Sequence, residues 1–189
     1  MLGVCELCPN PVRVGGRGRP QRYCSNACRQ RAYRNGSIPR ALTSRPRWIR
    51  WRTQIRRGKP TKIPLGTHGY AADVTNPAIW RPYGTARAST LGEGLGFVLG
   101  DGIGCLDLDD VIRDGKLTPA AATLVESLPA TYTEVSPSGT GLHLWYFMDE
   151  APGTVRTING VNVETYSRDR YITITGKRWP GTPGTLAEL

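Results

Sequence analysis

Gly102-Ile103-Gly104-Cys105-Leu106-Asp107-Leu108-Asp109-Asp110 is the stretch that most constrains the fold. Its alternating pattern predicts a β-strand from Ile103 to Asp109, because successive strand side chains point to opposite faces. Asp107 and Asp109 are then expected on one face, with Leu106 and Leu108 on the other. Two neighbouring carboxylates repel each other, so they suit divalent cations better than a packed core. The alternative is a strand that simply ends in a polar turn.

Further short apolar runs lie on both sides of this strand, separated by Gly, Pro and Ser. They predict strands at 48–51, 94–99, 131–135, 142–147, 161–166 and 171–175, and helices that begin at Thr75-Asn76-Pro77 and Thr118-Pro119. Gly100-Asp101 predicts a hairpin turn between the second of these strands and the one that begins at Ile103. Strands outnumber helices, so the predicted fold class is α+β with a mostly antiparallel sheet and flanking helices.

Charge is distributed unevenly along the 189 residues, whose net charge is +10. Residues 1–62 contain 16 Lys and Arg and one acid, whereas residues 63–189 contain 9 Lys and Arg and 14 acids. This asymmetry indicates a basic part that meets a polyanion and an acidic body that holds cations, the alternative being a solvated basic tail. We find no apolar run near the ~20 residues of a membrane span and no secretion leader, so we expect a cytoplasmic protein without membrane partners.

Four of the five cysteines fall into two close pairs, Cys5-x2-Cys8 and Cys24-x3-Cys28. This spacing is typical of a structural Zn²⁺ site with four thiolate ligands, and zinc can stabilise a segment too short to bury a core. We therefore predict a small zinc-binding N-terminal module at residues 1–36, a basic linker at 37–47 and a main domain at 48–189. The fifth cysteine, Cys105, is expected to pack as a small hydrophobic residue.

Basic residues follow the cysteines. A short helix is expected from Ser25, with Arg29, Arg31 and Arg34 exposed to touch phosphates, the alternative being a finger that docks on a protein. The segment from Arg45 to Lys62, which includes Arg50 and Arg52, is expected to follow a nucleic-acid backbone. Trp48 and Trp51 could stack on bases, although a place in the core is the stronger interpretation.

Two more features carry polar chemistry on predicted strands. Ser138, Gly139 and Gly141 belong to a loop whose backbone N–H groups could approach an anion, and His143 stands at its edge. Glu164 is a single acid in an alternating apolar strand, where an unpaired carboxylate needs a cation. That cation could be a metal ion or, alternatively, Arg168 or Arg170.

The ordered set of Asp-x-Asp, Ser-Gly-x-Gly-x-His and a strand carboxylate followed by Arg-Tyr-Ile-Thr-Ile-Thr-Gly resembles the archaeo-eukaryotic primase superfamily. The chain is most similar to the bifunctional primase-polymerase domains of phages and plasmids, over about residues 46–180. The resemblance implies a primase-polymerase (RRM-like) sheet core. It also implies that Asp107, Asp109 and Glu164 bind catalytic Mg²⁺ or Mn²⁺ and that His143 contacts the phosphates of the nucleotide.

The same resemblance matches Arg170, Thr173 and Thr175 less closely, as candidates for the nucleotide site. Asp110 should point to the opposite face of its strand. The implied function is template-directed nucleotidyl transfer on single-stranded DNA, in primer synthesis or primer extension, by two metal ions. Nucleoside triphosphates, a DNA template and a replicative helicase are the expected partners. The alternatives are a non-enzymatic zinc-finger module that binds nucleic acid and a repair polymerase of the same superfamily.

Overall fold

The computed structural model describes residues 2–5, 8, 10–13, 15, 21–35 and 38–189. The side chains of residues 2 and 31–35 are outside this description, so the expected exposure of Arg31 and Arg34 falls outside the described residues. The chain divides into two compact units, Met1–Ser37 and Ile38–Leu189. Within the described part of the chain, no helix is long and apolar enough to cross a membrane.

The first unit contains a hairpin and a helix. Strands β1 (Leu2–Val4) and β2 (Pro11–Arg13) pair antiparallel. Helix α1 (Asn26–Asn35) begins where the hydroxyl of Ser25 accepts a hydrogen bond from the backbone N–H of Cys28 at 3.1 Å. A serine at this position satisfies a backbone donor that the first turn of a helix leaves free. The short helix predicted near Ser25 is confirmed.

The second unit consists mainly of strands. Its helices are α2 (Arg40–Thr43), α3 (Tyr83–Ala88) and α4 (Pro119–Ser127), with a 3₁₀ turn at Pro77–Ile79. Its strands are β3 (Trp48–Arg56), β4 (Lys59–Leu65), β5 (Gly94–Val98), β6 (Ile103–Leu108), β7 (Ile112–Arg113), β8 (Lys116–Leu117), β9 (Thr133–Val135), β10 (Leu142–Phe147), β11 (Thr154–Ile158), β12 (Val161–Tyr166), β13 (Tyr171–Ile174) and β14 (Ala187–Glu188).

Two larger sheets organise these strands. One sheet has the order β11-β12-β6-β10-β14, and β9 pairs with β10 beside that path. The other sheet has the order β13-β5-β3-β4. Every pairing in them is antiparallel except that of β10 with β14. The predicted α+β class with mostly antiparallel sheets is therefore confirmed.

Strand β6 separates two hydrophobic layers. Cys105 faces one layer, where Phe97 of β5 packs edge-on against Trp145 of β10 with ring centroids 5.9 Å apart. Leu106 and Leu108 face the other layer, which includes α4. Asp107 shares the face of Cys105, because strand side chains alternate. The carboxylate therefore points to the side on which the second sheet lies.

A close backbone approach explains one glycine of this strand. A Cβ atom on Gly104 would lie 2.2 Å from the sulfur of Met148 and 2.8 Å from the carbonyl oxygen of Tyr166. Any larger residue would push β12 away from β6, and with it the residues that β12 carries opposite Asp107.

Several predicted elements differ from the structure. A turn does connect Gly100 to Ile103, but β5 and β6 do not form a hairpin, because each pairs with other strands in a different sheet. The segment expected to be a linker contains α2, and Leu42 of that helix is fully buried in the second unit. Burial of this leucine makes residues from Ile38 onward part of that unit. Within the second unit, helix α3 and strands β4, β7, β8, β11 and β14 were not predicted. The helix expected from Thr75-Asn76-Pro77 is only the 3₁₀ turn at Pro77–Ile79.

Candidate active site

Four polar residues form a row across the larger sheet. His143 on β10 lies directly opposite Asp107 on β6, and Asp107 in turn lies directly opposite Glu164 on β12. Glu134 on β9 continues the row on the far side of His143. Directly opposed residues of antiparallel strands share one face, with Cβ atoms about 5 Å apart. The sheet thus assembles Asp107, His143 and Glu164, three of the residues that the sequence singled out.

Asp107 lies between His143 and Glu164 in the row. Its Oδ1 atom is 3.5 Å from Nε2 of His143 and has no hydrogen-bond partner among the described residues. Burial raises the pKa of Asp107, and the nearby carboxylates of Asp109 and Glu164 raise it further, against the opposing influence of His143 and Lys62. A buried carboxylate among like charges is a signature of a functional site.

Glu164 is half-buried and is held by an aromatic neighbour. The hydroxyl of Tyr166 donates a hydrogen bond to its Oε2 atom at 2.7 Å. Burial and this hydrogen bond both raise the pKa of Tyr166. Among the described residues, neither Arg168 nor Arg170 forms an ion pair with Glu164: Arg168 pairs with Asp169 at 3.2 Å, and Arg170 lies 4.1 Å above the ring of Tyr166.

The two acids that follow Asp107 leave the strand. Asp109 comes directly after β6 and is exposed, although it is close enough to affect the pKa of Asp107. Asp110 adopts a positive φ of 52°, and its carboxylate accepts a hydrogen bond from the hydroxyl of Thr140 at 3.0 Å. Asp109 is therefore near the row. Asp110 instead links the turn at residues 109–110 to the glycine-rich loop, residues 136–141.

Hydrogen bonds between its own side chains hold the glycine-rich loop in place next to this turn. Hydroxyl contacts link Ser136 to Ser138 at 2.9 Å and Ser138 to Thr140 at 3.1 Å. A Cβ atom on Gly141 would lie 2.7 Å from the carbonyl oxygen of Leu108, so only glycine fits there. Gly139 has a positive φ of 83°. Ser138, Gly139 and Gly141 do not line the cleft described next.

A cleft of about 300 Å³ is lined by residues of both larger sheets. One wall carries Asp107, His143, Glu164 and Tyr166 from the larger sheet. The opposite wall carries Lys62 and Pro64 of β4 and residues 171–173 of β13, and Val74 and Arg170 complete the lining. Acidic groups and an imidazole thus face two cations across a space that can hold a small anionic ligand.

Comparison with known proteins identifies the family. The sequence matches the family described as bifunctional DNA primase/polymerase, N-terminal, over residues 28–188. The chain belongs to this family. It is similar to the DNA primase-polymerase of Nitratiruptor phage NrS-1, with 33% identity over 153 residues, which is 75% of this chain and 21% of that relative. The chain thus spans about a fifth of the length of this relative.

The primase/polymerase family implies divalent metal ions, and the row offers suitable ligands. Carboxylate oxygens are the ligands that Mg²⁺ and Mn²⁺ prefer. The buried Oδ1 atom of Asp107 has no hydrogen-bond partner in the described part of the chain, and a cation would satisfy it. The residues present therefore fit the group. The ligand atoms of Asp107, Asp109 and Glu164 are not all within 4.8 Å of one another, so the pair on adjacent strands is the better-defined part.

The four cysteines of the first unit converge. Ligand atoms of Cys5, Cys8, Cys24 and Cys28 all lie within 4.8 Å of one another. The Sγ atom of Cys8 is 3.5 Å from that of Cys24 and 3.7 Å from that of Cys28, and the last two are 3.6 Å apart. A tetrahedral zinc ion with Zn–S bonds of about 2.3 Å places its sulfur ligands about 3.8 Å apart. This cluster fits a zinc ion.

The predicted basic contacts have different environments. Arg29 and Arg52 are exposed, whereas Nε of the half-buried Arg50 donates to the carbonyl oxygen of Leu91 at 2.6 Å, and burial lowers the pKa of Arg50. Trp48 and Trp51 are 0% and 8% exposed. The core interpretation of both tryptophans is confirmed, and Arg50 has a structural partner.

Sequence reasoning missed part of this site. Glu134, Tyr166 and Tyr171 were not singled out, and Lys62 was assigned to the template path alone. Glu134 could have been found, because it is a lone acid within a predicted strand, the signal that drew attention to Glu164. The two tyrosines carry no such signal. Only the pairing of β12 and β13 with other strands brings them to the cleft.

Proposed function

We propose that this chain catalyses template-directed nucleotidyl transfer on single-stranded DNA, in primer synthesis, primer extension or both. The observation that carries the proposal is the row of Asp107, His143 and Glu164 on adjacent strands at the wall of an open cleft. The reaction joins a 3′-hydroxyl to the α-phosphate of a nucleoside triphosphate and releases pyrophosphate. It therefore needs stabilisation of negative charge at one place. Divalent cations held by the row, together with the opposing Lys62 and Arg170, would supply that.

The carboxylates supply the ligand set. Asp107 and Glu164 would hold divalent cations on the wall of the cleft, with Asp109 as a third ligand from the end of β6. Bound Mg²⁺ or Mn²⁺ would supply charge neutralisation for the triphosphate and a lowered pKa for the attacking hydroxyl.

The other lining residues fit the remainder of a nucleotide. Lys62 and Arg170 face the acidic wall and would pair with phosphate oxygens that the metal ions leave free. His143 is 3% exposed, so its imidazole would meet a phosphate in a setting from which water is largely excluded. Thr173 is buried and lines the cleft, where it would contact the sugar or base.

A cationic ribbon fits the template strand. Strand β5 pairs with β3 only at residues 48–51, so β3 and β4 continue beyond the sheet as a two-stranded ribbon. Residues 52–60 are exposed, and residues 52–62 contain no acid. The cations of this ribbon are Arg52, Arg56, Arg57, Lys59 and Lys62. Because Lys62 also lines the cleft, a backbone bound along the ribbon would lead into the site.

A non-enzymatic binding module is the second candidate, favoured by the cysteine cluster and the exposed Arg29 of α1. In that case the four-cysteine unit and the cationic ribbon would bind nucleic acid. The acids Asp107, Asp109 and Glu164 would then have only a structural role. Metal-dependent affinity for nucleoside triphosphates separates the two functions, because a pure binding module has no use for a metal–triphosphate complex. If a phage encodes the chain, as it does the relative, the place of action is the cytoplasm of the host.

A primer-synthesis assay tests the proposal. The chain is incubated with single-stranded DNA, ribonucleotides or deoxynucleotides, and Mg²⁺ or Mn²⁺, with and without a primer. We expect metal-dependent products from the wild type and none from the double variant Asp107→Ala/Asp109→Ala. Asp149→Asn, which changes an exposed acid outside the site, should behave as wild type. No product from the wild type under any condition, or full activity of the double variant, would refute the proposal.

A further inference from the structure

Glu134 is fully buried beside the nucleotide cleft. It lies on β9 directly opposite His143, and its exposed fraction is 0%. A carboxylate in such a place is unfavourable unless polar partners surround it. The partners of its two oxygen atoms therefore show what the residue does.

One carboxylate oxygen of Glu134 has a structural role. Oε2 accepts hydrogen bonds from the backbone N–H of Gly176 at 2.8 Å, from the backbone N–H of Thr175 at 3.3 Å and from the hydroxyl of Tyr132 at 3.1 Å. These donors fasten the segment after β13 to β9. With this set of donors, Oε2 acts as an acceptor only.

The other oxygen of Glu134 faces the imidazole. Oε1 is 3.5 Å from Nδ1 of His143, and within the described residues neither atom has a hydrogen bond of standard geometry. On the opposite side of the ring, Nε2 is 3.5 Å from Oδ1 of Asp107. The imidazole is thus held between a fully buried carboxylate and one that is 21% exposed toward the cleft.

We propose that Glu134 is a positioning residue for His143, whose Nδ1–H it accepts so that Nε2 is presented to the cleft beside Asp107. The two nitrogens of a neutral imidazole differ, since one donates and the other accepts, and the hydrogen bond at one nitrogen decides the role of the other. Glu134 should determine the choice, because a hydrogen bond is stronger in its dry surroundings than at the cleft. When the ring carries a second proton, Nε2–H points into the cleft and can donate to an anionic oxygen there.

The variant Glu134→Gln separates this role from the structural one. A glutamine oxygen can keep the backbone donors of Gly176 and Thr175, so the segment after β13 stays in place. Its NH₂ group then faces Nδ1 of His143, which must become the acceptor. The proton moves to Nε2, and the neutral tautomer of the histidine is reversed.

Nitrogen NMR of the imidazole side chains measures this directly. The chain has two histidines, and the other, His68, is exposed and serves as the internal reference. Nitrogen shifts distinguish a ring with one proton from a ring with two, and in the singly protonated form we expect His143 of the wild-type chain to carry its proton on Nδ1. A proton on Nε2 in the wild type would overturn the proposal, whether or not any variant folds.

The variants sharpen the measurement. Glu134→Gln should move the proton of His143 to Nε2 and leave the signals of His68 unchanged. Tyr132→Phe removes a donor from Oε2 only, so its tautomer should stay that of the wild type. An unchanged tautomer in folded Glu134→Gln would overturn the proposal.

The consequence for catalysis rests on the proposed function. For Glu134→Gln we expect kcat/KM for the nucleotide to fall by roughly tenfold to a hundredfold, a typical effect of losing the residue that orients a functional histidine. The exposed Glu126→Gln should leave it unchanged. Because the tautomer is measured without substrate, an inactive wild-type chain would refute the proposed function and leave the assignment of Glu134 standing on the NMR result.

Discussion

Asp107 and Glu164 lie directly opposite each other on β6 and β12, on the side of the sheet that faces the cleft. Two carboxylates in this register repel each other, and the burial of Asp107 increases the penalty. The pair therefore reduces the stability of the metal-free chain, and a bound cation would relieve the repulsion.

Asp107→Asn should abolish synthesis and stabilise the metal-free chain. A metal site contributes several kcal/mol to the transition state, so activity should fall by more than about 100-fold. Loss of a buried charge next to Glu164 should raise the melting temperature by a few degrees, since about 1 kcal/mol corresponds to roughly 2–4 °C at this size. Thermal melts in a chelator and primer-extension rates measure both. The exposed Asp149→Asn should change neither, and a lower melting temperature for Asp107→Asn would contradict the argument.

Stabilisation by Mn²⁺ should depend on pH through Asp107. Because burial raises the pKa of Asp107, its ionised form is disfavoured in the folded metal-free chain, and its contribution to stability falls as pH rises through that pKa. Metal binding needs the ionised form, so the gain in melting temperature with Mn²⁺ should shrink as pH falls through the same pKa.

Melts with and without Mn²⁺ at neutral and mildly acidic pH test this dependence. Asp107→Asn should show little Mn²⁺ stabilisation at either pH, which serves as the control. The groups that face this carboxylate are His143, Asp109, Glu164 and Lys62, and each can modify the profile. A Mn²⁺ effect that is equal at both pH values in the wild type would contradict the prediction.

Zinc should be present in the chain and should depend on the four clustered cysteines. Elemental analysis of wild-type chain is expected to give about one zinc per molecule, and Cys24→Ser should lose it, because a structural zinc site uses four ligands. Cys105→Ala removes a buried cysteine outside the cluster and should keep the zinc. The assignment would be contradicted by a wild-type chain without zinc, or by a Cys24→Ser variant that keeps zinc as the wild type does.

The ribbon should account for part of the salt dependence of DNA binding. Each phosphate contact on single-stranded DNA changes the slope of log K against log salt by about 0.7, so Arg56→Gln/Arg57→Gln should reduce the slope by about 1.4. Binding titrations at several salt concentrations measure it. Arg113→Gln/Lys116→Gln removes two exposed cations from the β7–β8 hairpin and is the matched control. Equal slopes for both double variants would show that the ribbon does not contact the single-stranded DNA.

The local features of this protein could be predicted from its sequence. The alternation around Asp107 requires no tertiary information, because strand side chains change faces at every residue. The opening of α4 at Thr118-Pro119 is equally local: the hydroxyl of Thr118 accepts from the N–H of Ala121, and proline suits the first turn. The cysteine spacing also predicts its cluster directly, because close pairs of thiolates can reach one ion.

Strand partners were decided only in three dimensions. The turn after β5 has the sequence of a hairpin, yet β5 pairs with β3 and β13 while β6 pairs with β10 and β12. A turn determines only that the chain reverses. The partners that the two strands find elsewhere place them in different sheets, and Phe97 of one sheet then packs against Trp145 of the other. Glu134 is the same case, since its place beside His143 depends on which strand lies next to β10. The sequence alone identified Asp107, His143 and Glu164 as candidates. They form one site because pairing between distant strands sets their register.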